Sequence, residues 1–406
     1  MAKTKVIEFM LNAGDGGAET LVKDYALLMD PDQFDVTVVV MHEIEHSANL
    51  QRLKEHNIPV IALSSQDDFL KKIWRKLFWK RNQPVLNAED IKEKPVLPGT
   101  MEEGEGTIHL LRHYLRNLYF GLRFWKIVQK TKADVVHGHL EVLYCMNTVH
   151  GLLRKVRLFH TCHSLPELNY EGREGNAARQ LIRKNHMQLI ALHTDMAEQM
   201  DMMFPEQKTI VIRNGIDLEK FRNPGVTLEE KRRALAIPRD AFLVGHVGRF
   251  TPEKNHPFLV EVFREIAKRN ENAYLLMVGA GDHSHIAQLL HSYGLEDRYQ
   301  ILSGRTDVNE LLKAMDVFVF PSVFEGFGIA LLEAQAAGLR CIASDHCPKE
   351  VVRTKECITM PLEAPEKWAE AAMDFNLRRS EARTLDDYDM KKEIRRLEQL
   401  YLGQSV

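Results

Sequence analysis

The chain has 406 residues, 45% of them apolar and 27% charged, an ordinary globular composition that excludes wholesale disorder. Its 54 basic and 57 acidic residues leave a formal net charge of −3, which argues against a general nucleic-acid binder, and no nucleic acid is expected as a partner. No run approaches the roughly 18 to 20 apolar residues needed to span a bilayer.

The opening MAKTKVIEFMLNAG has a short apolar run that reads as a strand rather than a signal sequence. At about 150 residues per domain, the length predicts two or three domains. The five cysteines (Cys145, Cys162, Cys341, Cys347 and Cys357) form no C-x-x-C pair, so a reducing, cytoplasmic compartment is expected.

In chain order, short apolar runs alternate with helical patterns. The first block places strands at residues 6–11, 34–40, 60–63, 134–137, 158–160 and 189–192. The second places them at 242–247, 274–278, 299–302, 317–320 and 340–343. Such alternation predicts an α/β protein with parallel sheets covered by helices on both faces. The expected division is an N-terminal Rossmann-like domain over 1–207 and a second over 208–383. A charged amphipathic helix follows within 384–406, free to pack back on the first domain. Between the blocks, TIVIRNGIDLEKFRNP carries an Asn-Gly turn and reads as a hinge.

One segment breaks the pattern. The insert 67–107 is too long for an ordinary connection. Its residues 69–81, FLKKIWRKLFWKR, open on Phe69 and close on Arg81. They combine six cations with aromatic residues at helical spacing and contain no acid. An anionic membrane surface is the favoured partner, which would place the protein on a membrane's inner face.

The main chemical signal is FPSVFEGFGIALLEAQAAG, residues 320–338. A strand runs into a loop with Gly326 and Gly328, and a helix opens near Ile329. Glycines let a backbone approach a ligand, and a helix start offers free N–H groups. Glu325 and Glu333 flank this turn, placed to hydrogen-bond hydroxyls at two points of one extended ligand. Upstream, VGHVGRFTPEKNH delivers Gly248 and Arg249 to a loop, and Lys254 follows before a helix. Two cations beside such a turn suit a diphosphate. The N-terminal NAGDGGAE supplies Gly16 and Gly17 but lacks the full dinucleotide spacing.

His137, His139, His160 and His163 fall near strand ends, where a doubly wound fold places its crevice. An i, i+2 pair supplies only two ligands and no neighbouring carboxylate is evident, so no metal is expected. His163 is the best placed for a cleft-facing contact, whereas His137 and His160 read as structural.

With these residues in view, the chain resembles the retaining family-4 glycosyltransferases of GT-B fold, and within them the bacterial exopolysaccharide and capsule enzymes. The likeness rests on G-R-F-x-x-x-K-N-H at 248–256, N-G-I-D at 214–217, and the E-x7-E of Glu325 and Glu333. It implies two Rossmann-like domains facing across a cleft and a nucleotide-diphosphate sugar as donor. By motif, Arg249 and Lys254 would hold the diphosphate. Glu325 would meet the transferred sugar and Glu333 the ribose. N–H groups of Phe327, Gly328 and Ile329 would meet phosphate or sugar. His163 matches a histidine near the transferred sugar, and Gly16 and Gly17 match a Gly-rich loop. The implied reaction is metal-independent transfer to a lipid-linked glycan acceptor, with no cofactor. A GT-B nucleotide-sugar epimerase and a non-catalytic nucleotide-sugar-binding subunit remain alternatives.

Overall fold

The computed structural model describes residues 2–14, 16–42, 47–64, 107–374 and 383–405, without the side chains of 107–114 and 383–384. Residues 69–81, and with them nearly all of the 67–107 insert, lie outside the described residues.

The first sheet contains β1 (Thr4–Met10), β2 (Phe34–Val40), β3 (Val60–Ala62), β4 (Val135–His139), β5 (Arg157–Thr161), β6 (Gln188–Ala191) and β7 (Ile210–Val211), in the order β3-β2-β1-β4-β5-β6-β7. The second contains β8 (Phe242–Val247), β9 (Ala273–Val278), β10 (Tyr299–Leu302), β11 (Val317–Phe320), β12 (Arg340–Ser344) and β13 (Cys357–Met360), in the order β10-β9-β8-β11-β12-β13. Pairing is parallel from β3 through β6 and across the whole second sheet. Both orders reverse direction beside the strand that opens the sheet, the doubly wound pattern whose switch point favours ligands.

The strands are apolar because both faces are covered. In the first sheet Ile7, Phe9, Val38, Val39 and Val136 are fully buried. In the second, Val244, Leu275, Val317, Val319 and Ile342 pack with Phe263 and Trp368. The Trp368 indole donates to the Pro361 carbonyl at 2.8 Å, so the largest core side chain keeps its polar atom satisfied.

The chain forms two compact units. The first comprises residues 1–162, 166–190 and 199–210; the second comprises His163–Leu165, Ala191–Glu198 and Val211–Val406. The C-terminal helix Met390–Tyr401 lies in the second unit. There Ile216 and residues 388–390 exchange backbone bonds: Ile216 N–H donates to Tyr388 O at 2.8 Å, and Met390 N–H to Ile216 O at 3.0 Å. Gly215 permits this approach, since a Cβ there would sit 2.4 Å from the Met390 Cα.

Candidate donor site

Two strand-to-helix loops of the second unit meet. From β8 the chain enters Gly248, whose N–H donates to the Val278 carbonyl at 2.9 Å. The Gly248 carbonyl lies against Gly279, where a Cβ would fall 1.9 Å from it. Only glycine at 279 lets this loop lie flat on the end of β9. Arg249 follows, exposed. A 3-10 turn, Pro252–Lys254, then brings Lys254 back toward the sheet.

From β11 the chain enters the second loop. Gly328 adopts φ 91°, a left-handed conformation that favours glycine, and opens the helix Ile329–Ala336. No side chain caps this helix and no acid occupies its first turn. Its leading N–H groups therefore need partners from outside the helix.

The loops are joined by an ion pair between Lys254 Nζ and the Glu325 carboxylate, with side chains 16% and 9% exposed. The same ammonium lies 5.3 Å from the Phe320 ring centroid. The backbone is also tied: Val323 N–H donates to Glu253 O at 2.9 Å, and Val323 O accepts from His346 Nδ1 at 2.7 Å. Ser344 Oγ donates to Ser322 O at 2.5 Å. Val323 and Phe324 stay exposed at the rim.

Of the residues named from sequence, Gly248, Lys254, Glu325, Gly326, Phe327, Gly328 and Ile329 thus sit on two joined loops, with Arg249 on the first. Glu333 is half-buried within the helix. His163 also lies in the second unit, and a Cβ on Gly326 would fall 2.5 Å from its carbonyl oxygen. Gly16 and Gly17 lie in the first unit, where Gly16 is the N-cap of the helix Gly17–Leu28.

Three further histidines stand at these loops; the sequence reading gave no role to His193 or His246 and took His256 only as the last residue of the 248–256 motif. His193 Nε2 lies 3.1 Å from the Gly326 carbonyl. His246 and His256 are buried with ring centroids 4.8 Å apart, beneath the Gly248 loop. Burial drives His246 well below the usual imidazole range and lowers His256 to about 4. All three are buried in the fold, which no sequence spacing advertises.

The first unit holds a polar trio. β1 and β4 pair Glu8 with His137, and Glu8 Oε2 lies 2.7 Å from His139 Nε2 and 3.6 Å from His137 Nδ1. All three side chains are fully buried. Sequence spacing showed no carboxylate near these histidines; β1 supplies one from a strand 131 residues distant. One ligand atom from each lies within 4.8 Å of the others, so the trio could hold a metal ion. Hydrogen bonds also account for it, since His137 Nε2 is 2.7 Å from Thr161 Oγ1. Burial pushes His139 down to about 3, keeping its ring neutral. His160 is structural as expected: Nε2 donates to Leu140 O at 3.0 Å, leaving Nδ1 to accept from the Tyr170 hydroxyl at 3.0 Å.

Two parallel doubly wound sheets, with Lys254 and Glu325 on loops that follow adjoining strands of the second, define an α/β class whose switch points favour ligands. Residues 241–375 match the family described as Glycosyl transferases group 1, and residues 97–220 match Glycosyltransferase Family 4. The chain belongs to these family-4 glycosyltransferases and has their two-domain GT-B fold.

It is 32% identical over 241 residues to the UDP-Gal:alpha-D-GlcNAc-diphosphoundecaprenol alpha-1,3-galactosyltransferase of Escherichia coli, covering 55% of this chain and 61% of that one. It is 35% identical over 146 residues to the putative glycosyltransferase EpsF of Bacillus subtilis strain 168, covering 36% and 38%. These matches span less than two thirds of the relatives' own lengths. Among solved structures, Anabaena HepE in complex with UDP and glucose aligns with a TM-score of 0.72 at 17% identity, over 98% of this chain and 100% of that one. WaaG, a glycosyltransferase involved in lipopolysaccharide biosynthesis, aligns at 0.67 and 16%, over 98% and 100%. At these identities the likeness is one of fold.

Proposed function

We propose that this chain is a retaining, metal-independent glycosyltransferase that moves a sugar from a nucleotide-diphosphate sugar to a lipid-linked glycan acceptor in exopolysaccharide or capsule synthesis. The observation that carries the reading is the Lys254–Glu325 ion pair beside an uncapped helix start. Without ligand, the two groups neutralise one another. An entering diphosphate outcompetes the carboxylate for Lys254, because it offers more charge and more acceptor oxygens. Glu325 is then released to accept hydrogen bonds from the transferred sugar, and Glu333 serves the ribose.

Departure of the nucleoside diphosphate is the step that needs help. Arg249, Lys254 and the N–H groups of Phe327, Gly328 and Ile329 stabilise its growing charge. The acceptor hydroxyl attacks from the face the diphosphate leaves and passes its proton to the departing phosphate as the anomeric C–O bond to it breaks, so configuration at the anomeric carbon is kept. His163 stands beside that sugar, and Gly16 and Gly17 supply a Gly-rich loop. The Escherichia coli relative, named for UDP-Gal and a diphosphoundecaprenol acceptor, supports the donor and acceptor classes. A cytoplasmic enzyme resting on an anionic membrane through residues 69–81 would reach such an acceptor.

The test screens purified protein against a nucleotide-sugar panel by thermal shift. Transfer of the selected sugar to an undecaprenyl-diphosphate-linked acceptor is then measured, with the product's anomeric configuration read by NMR. Acceptor-dependent release of nucleoside diphosphate with a retained anomer supports the reading. Epimerised donor without transfer, or activity only with an added partner protein, overturns it.

A further inference from the structure

Resting on the donor site just proposed, we propose that His193 is a positioning residue: it grips the Gly326 carbonyl and thereby aims the Phe327 N–H at the bound donor. The hydrogen-bond pattern fixes the ring. Met196 N–H donates to His193 Nδ1 at 3.2 Å, so Nδ1 is the unprotonated nitrogen. Nε2 therefore carries the proton and donates it to Gly326 O at 3.1 Å. His193 is buried, and burial lowers its pKa, in keeping with a neutral ring.

The segment carrying His193 is anchored independently. Thr194 N–H donates to Glu350 Oε2 at 2.8 Å, and Glu350 is held by Arg213 Nη2 at 3.0 Å and through its carbonyl by the Tyr388 hydroxyl at 2.6 Å. His193 thus approaches Gly326 from a fixed base. On its near side, Gly326 abuts the His163 carbonyl, where no side chain fits.

The consequence follows from the planarity of the peptide group. Gly326 C=O and Phe327 N–H belong to one trans unit and point in opposite directions. A donor on the carbonyl therefore sets the direction of the N–H. Without it, this glycine-flanked peptide is free to rotate, and one hydrogen-bond donor to the ligand is lost.

The experiment compares wild type with His193→Ala, His193→Phe and His193→Gln. Calorimetry measures binding of the panel-selected nucleotide sugar and of its nucleoside monophosphate, which lacks the second phosphate and the sugar. The Ala and Phe variants should weaken nucleotide-sugar binding about tenfold relative to monophosphate binding. His193→Gln, whose amide N–H can reach the same carbonyl, should restore the ratio to within about threefold. Equal weakening of both ligands, or an unchanged ratio, overturns the proposal. The Phe variant keeps the ring's volume, so poor folding of the Ala variant does not remove the test. Failure of wild type to bind any nucleotide sugar would instead sink the donor-site reading.

Discussion

Lys254 and Glu325, 71 residues apart in sequence, form an ion pair that joins the loop after β8 to the loop after β11. Neither is widely open to solvent, so this pair is not a screened surface contact. It makes the two strand ends behave as one.

Lys254→Ala should lower kcat/KM at least 100-fold, about 3 kcal/mol of transition-state stabilisation. It should also destabilise the fold by about 1–3 kcal/mol, because the Glu325 carboxylate loses its partner. Restoring stability with Lys254→Ala/Glu325→Gln, while activity stays lost, would separate the two effects. Steady-state kinetics and urea unfolding measure them.

Gly326→Ala should be more damaging than its size implies. The new methyl would lie 2.5 Å from the His163 carbonyl oxygen, well inside van der Waals contact. Backbone has to move, and overpacking of this kind costs about 1–3 kcal/mol. Gly17→Ala serves as the control, since nothing lies within 4 Å of a Cβ there. Equal unfolding midpoints for the two variants would refute the packing argument.

Glu8→Ala should cost about 1–3 kcal/mol by stranding the His137 and His139 rings in the interior. Thermal unfolding with and without EDTA tests the trio further. A midpoint indifferent to the chelator fits hydrogen bonds alone, whereas a chelator-induced drop that Glu8→Ala abolishes would identify a bound metal.

Stability should fall with acid. Burial holds His139 and His160 at about 3 and His256 at about 4, whereas unfolded imidazoles titrate near about 6.5. Their contribution is present above that value and is lost as pH falls through the folded values. Each adds a slope of about 1.4 kcal/mol per pH unit in that window. Glu174 runs the other way. Burial raises it from 4.5 to about 7, so its contribution is full below 4.5 and lost as pH rises through 7. Urea midpoints should drop steadily below pH 6.5. Glu174→Gln should gain stability relative to wild type between pH 5 and 8; parallel curves would contradict that assignment.

The sheet-forming runs were legible because buried parallel strands write continuous apolar stretches. Eleven of the strands coincide with sequence runs to within a few residues. β7 escaped because it is two residues long, and β13 because CITM, on the outermost strand of its sheet, is only partly buried and exposes Thr359. Glu325, the glycines and Lys254 were legible because they break the apolar pattern in the loops that follow β8 and β11, and Glu333 because it completes the E-x7-E from inside the next helix. His193 was not. Its partner is a carbonyl 133 residues away, and main-chain acceptors leave no mark in sequence. Glu8 was hidden likewise, since it faces histidines that come into register only through β1–β4 pairing.

The bonds that hold residue 323 in place, to Glu253 O and from His346 Nδ1, run through its main chain. The scaffold is therefore indifferent to what side chain stands there. Together with the exposed neighbouring Phe324, this gives the rim of the site two positions where chemistry can be exchanged while the framework stays constant. Combinatorial libraries confined to 323 and 324 would explore altered selectivity without drawing down stability. That is the economy by which hypervariable loops diversify on a conserved support.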